Sequence, residues 1–404
     1  MSQKMVFNNL TQEAIEVFSA IQKRKISGKE ELILETGIKS TTMNRILERL
    51  KDEGLVLVCG EGESTGGRRP LLYGINNENR IYYVGVNIGF YHLDVSILHY
   101  SGRVESLLKK PYPLNAGPEQ ALTDIRTMYE TALRKTGIDP KDIYGCGLCI
   151  FCSLDRAQGV VLKSVSAENL NPEWFGFPIK QRVGEIFGME PVMETSINSV
   201  CIGEYCFGNG RNFNKMSVLL CSNAIRMGCM QNGMLIRPAN NIVDAFGHMV
   251  IEVGGRPCRC GNYGCVGTYG SASAIVRTFR HELRSGRSSS LIEVPVEDLT
   301  VYDILHAGED GDQLAVEVIT KAATMVGMAT ANYINLTNPE ILICAGLLME
   351  NSSVYYEAVK ETVARITQLL QGKNNLLFMP RTSMGKSAVG AAITAMEAQM
   401  GKSY

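Results

Sequence analysis

His248, Cys258, Cys260 and Cys265 are the residues whose types and spacing point most directly to chemistry. One imidazole nitrogen and three thiolate sulfurs are a donor set suited to tetrahedral Zn²⁺. The histidine precedes the first of these cysteines by ten residues, and the three cysteines fall within eight. Gly261 and Gly264 let the chain turn sharply enough to aim three sulfurs at one point, and Gly254 and Gly255 allow the return from His248. Four protein ligands and no carboxylate describe a closed, structural site with no position left for an activated water. The competing reading is buried free thiols, since the chain has twelve cysteines. An even spread of twelve would not set three of them beside a histidine in one glycine-rich loop.

A second group of residues fits recognition of nucleic acid. Thr11 to Arg24 carries Ala14, Phe18 and Ile21 at helical spacing. Ser27-Gly28-Lys29-Glu30 has the form of a capping box and opens a short helix through Leu32, Ile33 and Leu34 that ends at Gly37. Ser40 is placed to cap a third helix, with Met43, Ile46, Leu47 and Leu50 at i, i+3, i+4 and i+7 and a stop at Gly54. Two helices joined by a short glycine-containing turn predict a helix-turn-helix. A core takes the apolar face of the third helix, leaving Thr41, Thr42, Asn44, Arg45, Arg49 and Lys51 on the other. Thr41, Thr42, Asn44 and Arg45 lie in the N-terminal part that enters a major groove and are the base-edge candidates. The apolar runs Leu55–Val58 and Leu71–Ile75 flank a glycine- and charge-rich stretch from Gly60 to Pro70. They predict a two-stranded wing that presents Arg68 and Arg69 to phosphate or a minor groove. The bland alternatives are a solvated linker and a protein-binding module built on the same fold.

These elements belong to a chain of 404 residues, long enough for two or three domains. Its 45% hydrophobic and 20% charged content is ordinary for a globular protein. The net charge of −1 excludes a globally basic chain, so contact with DNA has to come from a local patch. The first apolar run is short and interrupted by charge, so no signal peptide is expected. No stretch approaches the roughly 20 apolar residues that span a bilayer. Twelve cysteines without a secretory signal read as reduced thiols and metal ligands in a cytoplasm.

From Ile81 onward strands alternate with helices: strands at Tyr82–Ile88, Leu93–Tyr100, Ile143–Phe151, Met189–Met193, Met216–Cys221 and Gly228–Ile236, helices at Pro118–Thr136, Asn198–Phe207 and Ser387–Gln399. Such alternation is α/β. No internal repeat is visible.

The loop Gly247-His248 followed by Cys258-Arg259-Cys260-Gly261-Asn262-Tyr263-Gly264-Cys265 resembles the zinc signature of the ROK family (repressor, open reading frame, kinase), and the likeness runs over nearly the whole chain. Ser64 to Pro70 looks like the linker of the family's regulator branch, which the kinase branch lacks. The resemblance implies a winged helix-turn-helix at 1–78 followed by a two-lobed actin- and sugar-kinase-like (ribonuclease H-like) body. Lobe 1 would be 79–198 plus the C-terminal helix 387–404; lobe 2, at 199–386, would carry the zinc loop and an oligomerisation surface.

Departures from the kinase pattern decide the expected activity. The first phosphate loop, Asp-x-Gly-Gly-Thr in the family's kinases, is Asn87-Ile88-Gly89-Phe90-Tyr91 here, and two aromatic rings would fill space meant for a triphosphate. The second, Gly-Thr-Gly-Ile-Gly, is Ser222-Asn223-Ala224-Ile225-Arg226. The adenosine loop Gly-Gly-Gly is Cys344-Ala345-Gly346, and the base motif Asn-Asp-Ala-Asn is Thr195-Ser196-Ile197-Asn198. Phosphoryl transfer needs backbone N–H groups close to phosphates and a carboxylate at the sugar hydroxyl; a serine without an adjacent base accepts no proton near pH 7. The sugar pocket is altered as well: the family's Gly-Glu-x-Gly-His is Asp244-Ala245-Phe246-Gly247-His248, and the glutamate after the last zinc cysteine is Gly267. Asn169, Asn198 and His248 remain of that pocket, Asp244 stands one residue from the lost glutamate, and Arg226 is a new cation that suits an anionic effector or, more plainly, a surface or interlobe ion pair.

The resemblance with these departures implies a cytoplasmic, sequence-specific transcription regulator, a repressor, that is not an enzyme. It would bind double-stranded operator DNA as a homodimer or homotetramer, respond to a sugar or phosphosugar, and hold structural Zn²⁺. The rivals are a sugar kinase with a fused regulator domain, a regulator controlled by a protein partner, and a constitutive DNA binder.

Overall fold

The computed structural model describes residues 6–63, 69–113, 115–163, 170–237, 245–371, 379–382 and 386–402. The Thr11 hydroxyl accepts from the Ala14 N–H at 3.3 Å and caps α1 (Gln12–Arg24), which buries Ala14, Ile15, Phe18 and Ile21. Lys25, at φ 70°, turns the chain into a short strand, β1 (Ile26–Gly28). The next helix, α2 (Lys29–Thr36), starts from Gly28 rather than Ser27, and the carboxylate that reaches back is Glu31, accepting from the Gly28 N–H at 2.9 Å. Only the carboxylate half of the expected box forms, shifted by one residue, because Ser27 is drawn into the sheet and buried and Gly28 has no side chain to accept in return. Likewise α3 (Ser40–Asp52) has Lys39 at its cap, not Ser40, and buries Met43, Ile46, Leu47 and Leu50 as the spacing requires. Strands β2 (Val56–Glu61) and β3 (Leu71–Ile75) pair antiparallel, and β1 adds to the free side of β3. The wing is therefore a three-stranded sheet where two strands were expected.

The body contains two sheets. The first is built from β4 (Tyr82–Ile88), β5 (His92–His99), β6 (Val104–Pro111), β7 (Ile143–Ile150) and β10 (Val192–Thr195), in the order β10-β7-β4-β5-β6, with the small hairpin β8 (Leu154–Asp155) and β9 (Val160–Val161) outside it. Helix α4 (Pro118–Thr136), with proline in its first turn and Gly137 at φ 67° closing it, and α5 (Ile179–Phe187) belong to this half. The second sheet has β11 (Lys215–Cys221), β12 (Ile225–Gln231), β13 (Met234–Leu235) and β14 (Ile341–Ala345), in the order β13-β12-β11-β14. In both sheets an antiparallel meander is followed by a strand that pairs parallel with the first strand of the meander, β7 with β4 and β14 with β11. The sequence shows no trace of this repeated topology. The strand expected at Met189–Met193 lies instead at Val192–Thr195, and the following helix, α6 (Ser196–Cys206), begins two residues before Asn198 because the Thr195 hydroxyl caps it. The run expected as one strand over Gly228–Ile236 is a hairpin turning at Asn232 (φ 50°) and Gly233 (φ 77°).

Helices α7 (Gly267–Gly270), α8 (Ala272–Arg284), α9 (Val301–Glu309), α10 (Gln313–Thr337), α11 (Leu347–Asn351) and α12 (Ser353–Gln371) complete the second half. One sequence expectation is corrected here: α10, at 25 residues, is long and apolar enough to cross a membrane, and 61% of its most apolar window is buried inside the protein. Its apolar residues are spent on the core that includes α12.

The last helix, α13 (Ser387–Gln399), returns to the first sheet. Gly85 on β4 and Gly147 on β7 face the backbone of α13 so closely that a Cβ would strike the carbonyl oxygens of Ala388 and Ala391, and Gly390 meets the Ser199 carbonyl of α6 in the same way. These glycines let a helix lie directly on the strands. The far end of α13 meets the N-terminal head. Phe18 stacks on Tyr100 at 6.0 Å, the Gln22 amide donates to the Tyr100 carbonyl at 2.6 Å, and the Lys402 ammonium donates to the Ser19 hydroxyl at 2.9 Å while pairing with buried Glu397 at 2.7 Å. Full burial of an aromatic side chain such as Phe18 contributes about 1.5–3 kcal/mol, so the seam between head and body is a packed core.

Candidate metal centre, cleft and nucleic-acid face

A single-turn 3₁₀ helix, Ala245–His248, brings His248 to the cysteine loop; Gly247 is needed there because a Cβ would press on the Ile225 carbonyl of β12. The loop is cross-linked by its own backbone: Ile251 N–H to the Gly264 carbonyl at 2.9 Å, Gly264 N–H to Arg256 at 2.8 Å and Cys258 N–H to Asn262 at 2.8 Å. Gly264, at φ 74°, also lies hard against the Glu252 carbonyl. The four donor atoms of His248, Cys258, Cys260 and Cys265 all fall within 4.8 Å of one another. Cys260 Sγ and Cys265 Sγ are 3.7 Å apart, and His248 Nδ1 is 3.5 Å from Cys258 Sγ. Tetrahedral Zn²⁺ with ordinary bond lengths requires sulfur–sulfur edges of about 3.8 Å and nitrogen–sulfur edges of about 3.5 Å. The donor set and spacing fit a four-coordinate metal, and no carboxylate joins the cluster among the described residues.

Between the two sheets lies a cavity of about 410 Å³ whose wall includes Asn87, Tyr91, Ser196, Asn223, Arg226 and His248. The places where a kinase would keep its phosphate loops are thus brought together, but they touch each other. The Tyr91 hydroxyl donates to Asn223 Oδ1 at 3.4 Å, and burial pushes that phenol up to about 12, so it stays protonated. Phe90 packs edge-on against Phe151 at 5.2 Å and Tyr91 at 4.7 Å. Gly346, at φ 95°, keeps its glycine because a Cβ would meet the Cys221 carbonyl, and its N–H points to Glu350 at 3.2 Å. Glu350 also pairs with Lys386 at 3.0 Å, joining α11 to the start of α13. Side chains thus bridge the two loops and engage the Gly346 N–H.

Ser196 lines the cavity, and its hydroxyl donates to Asn87 Oδ1 at 3.0 Å; the Asn87 amide in turn donates to Asp94 at 2.8 Å. Asp94, buried and paired with His92 at 3.1 Å, is a carboxylate in the cleft that the motif comparison misses. The signal was available: β4 and β5 form a hairpin whose register sets Asp94 opposite Asn87. Arg226 is 5% exposed and lines the cavity, which rules out a surface position. Asn198 is not on the cavity wall: its amide donates to Glu194 at 2.9 Å. Glu194 also takes Arg156 at 2.8 Å and Arg237 at 2.5 Å; burial would raise its pKa, but the two guanidinium groups bring it below the usual range. Asn169 and Asp244 lie outside the described residues.

On the head, Thr41, Asn44 and Arg45 are exposed along α3, and Thr42 is half-buried. Arg49 is tied to the Asn9 carbonyl and Lys51 to Glu48 at 3.2 Å, which leaves the first half of the helix as its open face. Arg69 is exposed, and Arg68 lies outside the described residues.

The chain resembles known proteins over most of its length. A xylose repressor from Caldicellulosiruptor bescii is 23% identical over 359 residues, covering 89% of this chain and 88% of that one. The fold matches a crystal structure of a ROK family transcriptional regulator, a homologue of the Escherichia coli MLC protein, with a TM-score of 0.72, 20% identity and 96% of each chain covered. It also matches the ROK hexokinase from Thermus thermophilus, with a TM-score of 0.63 and 22% identity, over 100% of that chain but 80% of this one. The sequence pattern of the ROK family fits residues 83–398, and the chain therefore belongs to the ROK family.

Proposed function

We propose that this protein is a sequence-specific DNA-binding transcription regulator, a repressor, whose kinase-like body no longer transfers phosphate. The observation that carries this is the joining of two things in one chain: an open recognition-helix face at Thr41, Asn44 and Arg45, and a cleft whose two former phosphate loops are bridged by the Tyr91–Asn223 hydrogen bond. The repressor named among its relatives supports the reading. Residues 1–78 would read operator DNA, and a metal held by His248, Cys258, Cys260 and Cys265 would be structural. Bound there, Zn²⁺ would hold the loop's geometry without offering a position for substrate. Docking of paired recognition helices on two half-sites calls for a symmetric homo-oligomer.

Helix α13 suits transmission between cleft and head. Its first turn is held across the cleft through Lys386 and Glu350, and its last is fastened to α1 through Glu397, Lys402 and Ser19. An effector in the cleft would move the head only to the extent that it binds one lobe arrangement better than another. Footprinting the purified full chain on DNA upstream of its own and neighbouring genes, at low salt, tests the assignment; a chain that protects no site is not this regulator.

A sugar kinase with a fused regulator domain is the second reading. Its specific support is Asp94, a buried carboxylate in the cleft wall, together with the hexokinase likeness of the body. Incubation with ATP, Mg²⁺ and a panel of hexoses separates the two.

A further inference from the structure

The metal donors sit on two arms of the cysteine loop, and one side chain fastens the arms together. The first arm leaves His248, turns at Glu252–Gly255 and runs on to Cys258 and Cys260; Cys265 opens the second arm, which continues into α7. Tyr269, on α7 four residues after Cys265, is buried. Its hydroxyl accepts from the Arg256 N–H at 2.6 Å and donates to the Glu252 carboxylate. Arg256 lies two residues before Cys258, and its guanidinium stands over the Tyr269 ring, 4.8 Å from the centroid. The same guanidinium donates to the Thr268 carbonyl at 3.3 Å and to the Thr278 hydroxyl on α8 at 3.1 Å, and the Arg256 carbonyl takes the Gly264 N–H at 2.8 Å.

The turn held in this way stands in water. Glu252, Val253 and Gly254 are exposed, Val253 by 97%, and the turn is closed by the Gly255 N–H on the Glu252 carbonyl at 3.2 Å. Segments with so few buried apolar contacts open at little cost in free energy. Gly255 has a specific reason to be glycine: a Cβ there would strike the Tyr269 oxygen and the Glu252 carboxylate. Its φ lies outside the left-handed region, so the requirement is for space rather than for backbone freedom.

We infer that Tyr269 is the positioning residue of the metal site: its hydroxyl holds the Glu252–Arg256 segment so that the two arms bring Cys258 and Cys265 within reach of one ion before the ion arrives. The inference rests on reading His248, Cys258, Cys260 and Cys265 as metal ligands and is independent of the DNA reading. Tyr269 acts through the loop backbone. Apparent affinity falls in proportion to the fraction of chains whose binding site is already assembled, so a clamp that raises this fraction tightens binding without adding a ligand. Loss of an outer-sphere partner at metal sites costs about 10–100-fold in affinity.

The test uses the full chain, stripped of metal under reducing conditions. It is titrated with Zn²⁺ against a chromophoric chelator, and with Co²⁺ to read the ligand geometry from its absorption. Tyr269→Phe keeps the ring under Arg256 and removes both hydrogen bonds. It should weaken zinc affinity about ten-fold or more and speed zinc release, with a Co²⁺ spectrum still that of a tetrahedral thiolate site. Gly255→Ala, which crowds the hydroxyl from the other side, should do the same. Glu252→Gln keeps an acceptor for the hydroxyl and should bind close to the wild-type level, whereas Glu252→Ala should bind more weakly. Tyr263→Phe, at an exposed tyrosine of the same loop, should change nothing. If Tyr269→Phe does not fold, Gly255→Ala and the exposed Glu252→Ala carry the test. Unchanged zinc affinity in Tyr269→Phe, or in both of its substitutes, overturns the clamp and leaves the metal site standing. A wild-type chain that binds no Zn²⁺ overturns both, and neither result bears on the DNA footprint.

Discussion

The Tyr91 hydroxyl reaches Asn223 Oδ1 across the cleft at 3.4 Å, joining the two loops that a sugar kinase would hold apart around a triphosphate. Neither loop retains the run of glycines that would let backbone N–H groups approach phosphates, and Glu350 already takes the Gly346 N–H. The purified chain should therefore show no hexose-dependent turnover of ATP with Mg²⁺ above a no-enzyme control, where kinases commonly run at about 1–100 s⁻¹. Asp94→Asn should leave that absence unchanged; a background activity that disappears in this variant would identify Asp94 as a working base.

Replacing a base-edge residue should cost more than replacing a wing residue. Asn44→Ala and Arg45→Ala should each weaken operator binding by about 1–3 kcal/mol and relax preference at one base pair. Arg69→Ala should weaken binding to all sequences alike and reduce the slope of log affinity against log salt by about 1. Salt-titrated gel shifts on matched and mutated sites measure both.

The metal cluster predicts one zinc per chain by elemental analysis. Cys260→Ser, or treatment with a strong chelator, should remove it and lower Tm, because a bound metal's free energy is part of the folding free energy. Loss of zinc with no change in Tm would mean that the loop's backbone hydrogen bonds alone hold it.

His99 makes the seam between head and body sensitive to acid. Its Nε2 lies 2.8 Å from the Asn79 carbonyl and its Nδ1 accepts from the Ser101 N–H at 3.3 Å, an arrangement that fixes the neutral ring with the proton on Nε2. Burial lowers its pKa below 6.5, outweighing the hydrogen bond to Asn79. The folded state then binds fewer protons than the unfolded one, so the stabilisation is complete above pH 6.5 and is lost as pH falls through the lowered value. Melting curves should show Tm falling faster below pH 6.5 in wild type than in His99→Gln; parallel curves would contradict this.

Much of this architecture can be read from apolar spacing. The buried face of α3 and the whole of α4, β4 and α13 follow from periodicity and end signals, because each element's core contacts are set by its own residues. What the spacing does not reveal depends on pairing. Ser27 would cap a helix, but β3 offers β1 a partner and the cap passes to Gly28. Asn232-Gly233 is a strong hairpin signal hidden inside a long apolar run. In the cleft, motif comparison locates Asn87, Ser196 and Arg226, but Asp94 enters through strand register and Asn198 is diverted to Glu194.

The most direct test of the central claim is a footprint of the full chain on DNA upstream of its own gene at low salt, run beside the ATP, Mg²⁺ and hexose assay on the same preparation. The account predicts a discrete protected site of two related half-sites and no sugar phosphate. Phosphorylated sugar with no protected DNA would contradict it.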